Sequence, residues 1–227
     1  MSVSNYVLED VLNNSANIVG CQPIIYRPSN TRLRIKTSSS QKHKAIFFDR
    51  DGTIIEDIGY LTHASNIRFL LGVEESIQML QDKFLIIVVT NQSVVARGLI
   101  NEHDLSRIHR SLVEHLYVKG ANIDAIYSCP HHPDSGSPPY NIQCDGRKPQ
   151  PGMLLRAATD FNIQLNQSYL IGDKLSDIHA GQRAEVCATI LLKSPKMEVA
   201  TTLEVRPTFF AQSLIEATKL VLEHSAA

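Results

Sequence analysis

From Lys44 onward the chain repeats one pattern, a short apolar run followed by a polar turn and a helix-like stretch. The runs are Ala45–Phe48, Leu85–Val89, Ala125–Tyr127, Tyr169–Ile171 and Thr189–Leu192. Their hydrophobicity is continuous rather than alternating, so both faces of each strand are covered, as in a parallel sheet between helix layers. Between the runs, Val73–Gln81 carries Val73, Ile77 and Leu80 at helical spacing, and Leu105, Ile108, Leu112 and Leu116 repeat that spacing. Pro151 opens a further helix bearing Met153, Leu154 and Ala157, because proline in a first helical turn forfeits no hydrogen bond. The alternation predicts an α/β fold with a doubly wound, Rossmann-like parallel sheet, whose ligands bind beyond the carboxyl ends of the strands.

Residues 1–43 break the pattern. No acidic residue lies between Val11 and Phe48, while Arg27, Arg32, Arg34, Lys36, Lys42 and Lys44 accumulate, and Thr37–Gln41 reads as a polar linker. The chain therefore divides into a basic, partly flexible N-terminal extension, 1–43, and a main domain, 44–227. Within the extension, Ile24–Tyr26 and Leu33–Ile35 are candidates for short edge strands. A solvated segment lying along the domain is preferred over a basic arm for an acidic partner.

Composition narrows the classes. The 227 residues suit one domain with an appendage, and 43% hydrophobic with 20% charged residues excludes disordered and fibrous chains. A net charge of -1 supplies no global field for nucleic acid or an anionic membrane, so an anionic ligand must be held by local groups. No basic-then-apolar leader opens the chain, and the longest aliphatic run, Phe84–Val89, falls far short of the ~20 residues of a membrane span. A soluble, cytoplasmic monomer is expected, with neither nucleic acid nor membrane as partner. Cys21, Cys129, Cys144 and Cys187 are too few for a disulfide scaffold and point to metal or packing first.

Four strand ends carry chemistry. Asp49 and Asp51, two apart past the first strand, point the same way in extended backbone, and Gly52 permits an immediate turn. Such carboxylates repel unless a cation or a shared proton separates them. Thr90, Asn91, Gln92 and Ser93 offer short donors to phosphate oxygens, with Arg97 nearby. Arg147 and Lys148 combine a planar fork and a point charge before Pro149. Asp173, after Gly172, brings a third acid to the same sheet edge, and Asp177 follows as either a capping residue or a supporting acid. Two acids, a hydroxyl, a lysine and a third acid are the set that metal-assisted phosphoryl transfer through a carboxylate nucleophile requires.

In this order Asp49-x-Asp51-Gly52-Thr53, Thr90, Lys148 and Gly172-Asp173 resemble the haloacid dehalogenase (HAD) superfamily of phosphatases, over Ala45 to roughly Leu192. Gly59-Tyr60, Thr90-Asn91-Gln92-Ser93, Ala96-Arg97-Gly98, Cys129-Pro130-His131-His132-Pro133, Arg147-Lys148-Pro149 and Asp173-Lys174 resemble the D-glycero-D-manno-heptose 1,7-bisphosphate 7-phosphatases within it. The sister group, histidinol-phosphate phosphatases, is the alternative; a catalytically weakened phosphosugar-binding protein is a third reading.

The resemblance implies a HAD-like fold with a short Cys/His loop, 129–146, in place of a large cap domain. It implies a small phosphosugar substrate in activated-heptose and lipopolysaccharide core synthesis. Asp49 becomes the nucleophile and Asp51 the general acid and base, with Thr90 and Lys148 on the transferring phosphoryl group. Mg²⁺ is assigned to Asp49, the Asp51 carbonyl and Asp173; substrate contacts fall to Asp57, Gly59, Tyr60, Asn91, Gln92, Ser93, Arg147 and Lys174. Cys129, His131 and Cys144 match three of four zinc ligands, but Gly146 stands where the family has the fourth, a cysteine. Val94 replaces a glycine after Ser93, and a β-branched residue there resists positive φ.

Overall fold

The computed structural model describes residues 23–27, 42–192 and 205–226. Its strands are β1 (Ile24–Tyr26), β2 (Ala45–Phe48), β3 (Leu85–Asn91), β4 (Ala125–Cys129), β5 (Tyr169–Gly172), β6 (Ala188–Leu192) and β7 (Phe209–Ala211). Its helices are α1 (Val73–Leu80), α2 (Glu102–Val118), α3 (Gly152–Phe161), α4 (Leu175–Arg183) and α5 (Leu214–His224). The strands form one sheet in the order β1-β4-β3-β2-β5-β6-β7, parallel except for β1.

Each buried strand feeds two cores. Ile46 and Phe48 of β2 face the side covered by α1, α2 and α5, whereas Ala45 and Phe47 face α3 and α4. This is why the apolar runs are unbroken, and it bears out the doubly wound α/β reading. The helices sit where the spacing placed them, α2 opening on a capping box between Asn101 and Asp104.

Two strands outgrow their apolar cores, for β3 runs on through Thr90 and Asn91, and β4 through Ser128 and Cys129. Backbone pairing of Thr90 with Ser128 and Asn91 with Cys129 carries polar residues to the sheet edge on rigid elements. β7, only three residues long, has too little apolar run to signal a strand.

At the far edge β1 pairs antiparallel with β4, as the Ile24–Tyr26 reading allowed. Arg27 Nη2 donates to Asp160 Oδ2 at 2.6 Å and its guanidinium lies 5.1 Å from the Phe161 ring centre, while Tyr127 donates to the same carboxylate oxygen at 2.8 Å. The candidate strand Leu33–Ile35 and the linker Thr37–Gln41 lie outside the described residues. Among the described residues, no helix is long and apolar enough to cross a membrane.

Candidate active site

Parallel register aligns Phe48 with Val88 and Ile171, so the chain leaves β2, β3 and β5 at one edge. There Asp49 is almost fully buried, its amide donating to the Ile171 carbonyl at 3.0 Å. Gly52 turns the chain with φ +86°, and a Cβ at that position would collide with the Asp173 carboxylate. Gly172 has the same spatial role against Asp177, whose carboxylate occupies the place a side chain would take.

Lys148 ties this edge together. Its buried Nζ lies 2.7 Å from Asp49 Oδ1 and 2.6 Å from Asp177 Oδ1, and donates to the Val89 carbonyl at 2.8 Å. Burial alone would pull the ammonium down, yet the Asp177 and Asp49 carboxylates more than offset it and hold Lys148 charged. Asp177 also accepts from the Lys174 amide at 3.0 Å, capping α4. It therefore both caps a helix and holds the lysine, a pairing that separation along the chain conceals.

Asp173 Oδ1 is buried without a hydrogen bond, with the Lys174 ammonium 3.9 Å away. Burial and the neighbouring Asp49 charge push its pKa up to about 7, Lys174 opposing them. Ligand oxygens of Asp49, Asp173 and Asp177 lie within 4.8 Å of one another. An orphaned oxygen in a cluster of hard, like-charged ligands is what a divalent cation relieves, so the residues fit Mg²⁺. The Asp51 carboxylate is not one of the three and instead accepts from Arg50 and Gln92.

The residues after β3 mostly serve the machinery itself. Asn91 exchanges two 3.0 Å hydrogen bonds with the Lys148 main chain, Nδ2 donating to its carbonyl and Oδ1 accepting from its amide. Gln92 Nε2 donates to Asp51 Oδ2 at 2.7 Å and to Thr90 Oγ1 at 2.8 Å. Arg50, fully buried, donates to both Asp51 oxygens and to Gln92 Oε1. Asn91 and Gln92, expected as substrate contacts, thus have their side chains engaged inside the protein, while Ser93 is half-buried at the mouth. Behind Arg50, the buried His109 of α2 lies 3.3 Å away, and burial with the guanidinium holds it well below the usual histidine range.

The rim carries the remaining candidates. Lys174 Nζ donates to Asp57 Oδ2 at 3.1 Å, and Asp57 Oδ1 accepts from the Gly59 amide at 2.9 Å, with Gly59 at φ +84°. Tyr60 is half exposed beneath the Arg97 guanidinium, 5.2 Å from its ring centre. Arg147, partly buried, donates from Nη1 to the His131 carbonyl at 2.9 Å. Val94 keeps to the β-branched preference. It is buried beside Val95 and Leu105, and positive φ among described non-glycine residues occurs only at Asn162 and Glu185, so no strain arises there.

In the loop after β4, Cys129 Sγ lies 3.5 Å from Cys144 Sγ and 3.8 Å from His131 Nδ1. A Cβ at Gly146 would stand 3.5 Å from Cys144 Sγ, so the position lacking its thiolate does face the cluster. Cys144 is disulfide-bonded, whereas Cys129 and Cys187 are free, and Cys21 lies outside the described residues. The cluster's S and N donors suit zinc, and holding it requires Cys144 reduced. The loop packs on the site, since a Cβ at Gly136 would strike the Ala96 backbone and Tyr140 donates to Glu102 at 2.8 Å.

Comparison with known proteins agrees with this geometry. A D-glycero-beta-D-manno-heptose-1,7-bisphosphate 7-phosphatase of Photorhabdus laumondii is 38% identical over 178 residues, covering 78% of this chain and 94% of that protein. The chain belongs to this phosphatase family. A relative of the same name from Escherichia coli K12 is 40% identical over 153 residues, 67% of this chain and 80% of its own. Residues 146–217 match the HAD-hydrolase-like family. The solved structure of D,D-heptose 1,7-bisphosphate phosphatase from B. bronchiseptica, complexed with magnesium and phosphate, superposes with a TM-score of 0.69 at 30% identity, covering 80% of this chain and 99% of that one. The fold is HAD-like and the protein is a phosphoric monoester hydrolase.

Proposed function

We propose that the protein removes the 7-phosphate of D-glycero-D-manno-heptose 1,7-bisphosphate, with Mg²⁺ as cofactor, through an aspartyl-phosphate on Asp49. The observation that carries the mechanism is Lys148 Nζ, fixed between Asp49 and Asp177 beside the orphaned oxygen of Asp173. The relatives' names supply the substrate.

Asp49 and Asp173, with the Asp51 main-chain carbonyl, would hold Mg²⁺, which when bound offsets repulsion between a carboxylate and an anionic phosphate. The Asp49 oxygen not held by Lys148 attacks phosphorus while the bond from phosphorus to the sugar oxygen breaks. Asp51 gives that oxygen a proton; it then takes one from the water that attacks the aspartyl-phosphate, releasing phosphate and restoring Asp49. Lys148 and Thr90 stabilise charge on the equatorial oxygens. Asp57, Gly59, Tyr60, Ser93, Arg147 and Lys174 form the rim where the remainder of the phosphosugar binds. Arg147 and Lys174 meet its second phosphate there. The product enters activated-heptose and lipopolysaccharide core synthesis in the cytoplasm.

The test is phosphate release from heptose 1,7-bisphosphate beside histidinol phosphate, each with Mg²⁺ and with EDTA. Mg²⁺-dependent preference for the heptose at its 7-phosphate is expected; preference for histidinol phosphate would overturn the substrate.

A further inference from the structure

The acid motif and the hydroxyl motif, 41 residues apart in sequence, are joined by one amide group. Gln92 spends its two N–H bonds on different catalytic groups, Asp51 Oδ2 at 2.7 Å and Thr90 Oγ1 at 2.8 Å. Its carbonyl oxygen accepts from Arg50 Nη2 at 2.9 Å, and the same nitrogen lies 2.9 Å from each Asp51 oxygen, with Arg50 Nε 3.2 Å from Oδ1. Both oxygens of Asp51 are therefore held, so the carboxylate cannot swing freely about its last torsion. His109 completes the arrangement from α2, its Nε2 lying 3.3 Å from Arg50 Nη1.

A buried guanidinium is costly to keep, and apolar packing would fill its volume without that cost. Arg50 is 1% exposed and Gln92 3%, so neither lies open to bind a phosphosugar directly. What their placement does is fix the distance between the proton donor and the hydroxyl that meets the phosphoryl group. Catalytic proton transfer depends on such registry, because misplacement by about 1 Å can cost ~100-fold.

We propose that Gln92 and Arg50 are positioning residues: together they form a fork that aims Asp51 at the leaving oxygen and locks it in register with Thr90. This rests on the reading of Asp51 as the general acid, and the test separates the two. A poor leaving group, the alkoxide of a sugar or of glycerol, needs a proton as it departs; nitrophenolate, a stable anion, does not. kcat/KM reports steps up to departure of the leaving group, and so excludes the later use of Asp51 as a base.

The experiment compares kcat/KM for glycerol phosphate and for p-nitrophenyl phosphate, both with Mg²⁺, in the wild type and in Asp51→Asn, Gln92→Met and Arg50→Lys. Inhibition by inorganic phosphate and thermal melting serve as checks on the folded site. Gln92→Met keeps size while removing the amide, and Arg50→Lys keeps charge while removing the planar fork. Both are expected to lower the alkyl-to-aryl ratio of kcat/KM by ~10- to 100-fold, in the direction of Asp51→Asn, with the phosphate inhibition constant within ~3-fold of wild type. Should Gln92→Met lose its fold, Arg50→Lys gives the same readout. Equal losses on both substrates in folded Gln92→Met and Arg50→Lys, with Asp51→Asn still leaving-group dependent, would overturn the fork. Equal losses in Asp51→Asn would remove the acid assignment and the fork with it.

Discussion

Two clusters able to take a metal stand at the same edge of the sheet, and they hold their charge in opposite ways. In the first, the carboxylates of Asp49, Asp173 and Asp177 crowd together, the buried Lys148 ammonium meets Asp49 and Asp177, and Asp173 Oδ1 accepts no hydrogen bond, lying 3.9 Å from the Lys174 ammonium. In the second, Cys129, His131 and Cys144 carry no formal charge in their resting forms; burial pushes the Cys129 thiol up and the His131 ring down. A cluster that concentrates charge and leaves an oxygen unsatisfied is built for an anionic reaction and a hard cation. A neutral, soft cluster within a loop is built to fasten that loop.

That contrast can be broken, beginning with the largest effect. Asp49→Asn should lower kcat by at least ~10³-fold in Mg²⁺-containing phosphate-release assays while leaving circular dichroism unchanged. Next, Lys148→Ala leaves Asp49 and Asp177 buried without their cation. It should cost ~10²- to 10³-fold in kcat and about 3–5 kcal/mol in denaturant unfolding. A loss of activity without loss of stability would show that the ammonium is not what holds the carboxylates.

Asp173→Asn should act on stability in the opposite sense. The Asp173 pKa is raised in the folded chain, to about 7, so its ionised form opposes folding. The penalty is absent below the unfolded value of ~4, grows as pH rises, and is complete above about 7. In EDTA, Asp173→Asn should therefore stabilise the fold at pH 8 by on the order of 1–3 kcal/mol and hardly at all at pH 4, as differential melting would show. Mg²⁺ should raise the melting temperature of the wild type but not of Asp173→Asn. The smallest effect is expected in the second cluster. Under reducing conditions Cys129→Ser should lower zinc content measured by elemental analysis and lower the melting temperature by a few degrees, with kcat reduced less than ~5-fold. A fall in kcat matching that of Lys148→Ala would erase the distinction between the clusters.

Much of this was readable along the chain because the fold places one chemical group at each strand end. Asp49, Thr90 and Asp173 each follow or end an apolar run that signals its own strand, and Lys148 precedes the proline that opens α3. β7 was hidden because three residues show no periodicity, and of the two roles open to Asp177 the sequence could not show that it holds both, because one depends on Lys148, 29 positions earlier. Asn91 and Gln92 show a role that their residue types alone did not signal. Short polar side chains beside a phosphate site suggest ligands, and these also bond inside the protein, Asn91 to Lys148 and Gln92 to Asp51, Thr90 and Arg50.

By itself, the sequence determined the α/β layering and the four strand ends that carry chemistry, since unbroken apolar runs and their polar termini are local properties of the chain. Only the tertiary structure decided which carboxylate meets Lys148, which oxygen stays unsatisfied and which amide aims Asp51. Those assignments depend on distances between segments from 29 to 99 residues apart, and hydrogen bonds acting over about 3 Å leave no periodic trace in the sequence.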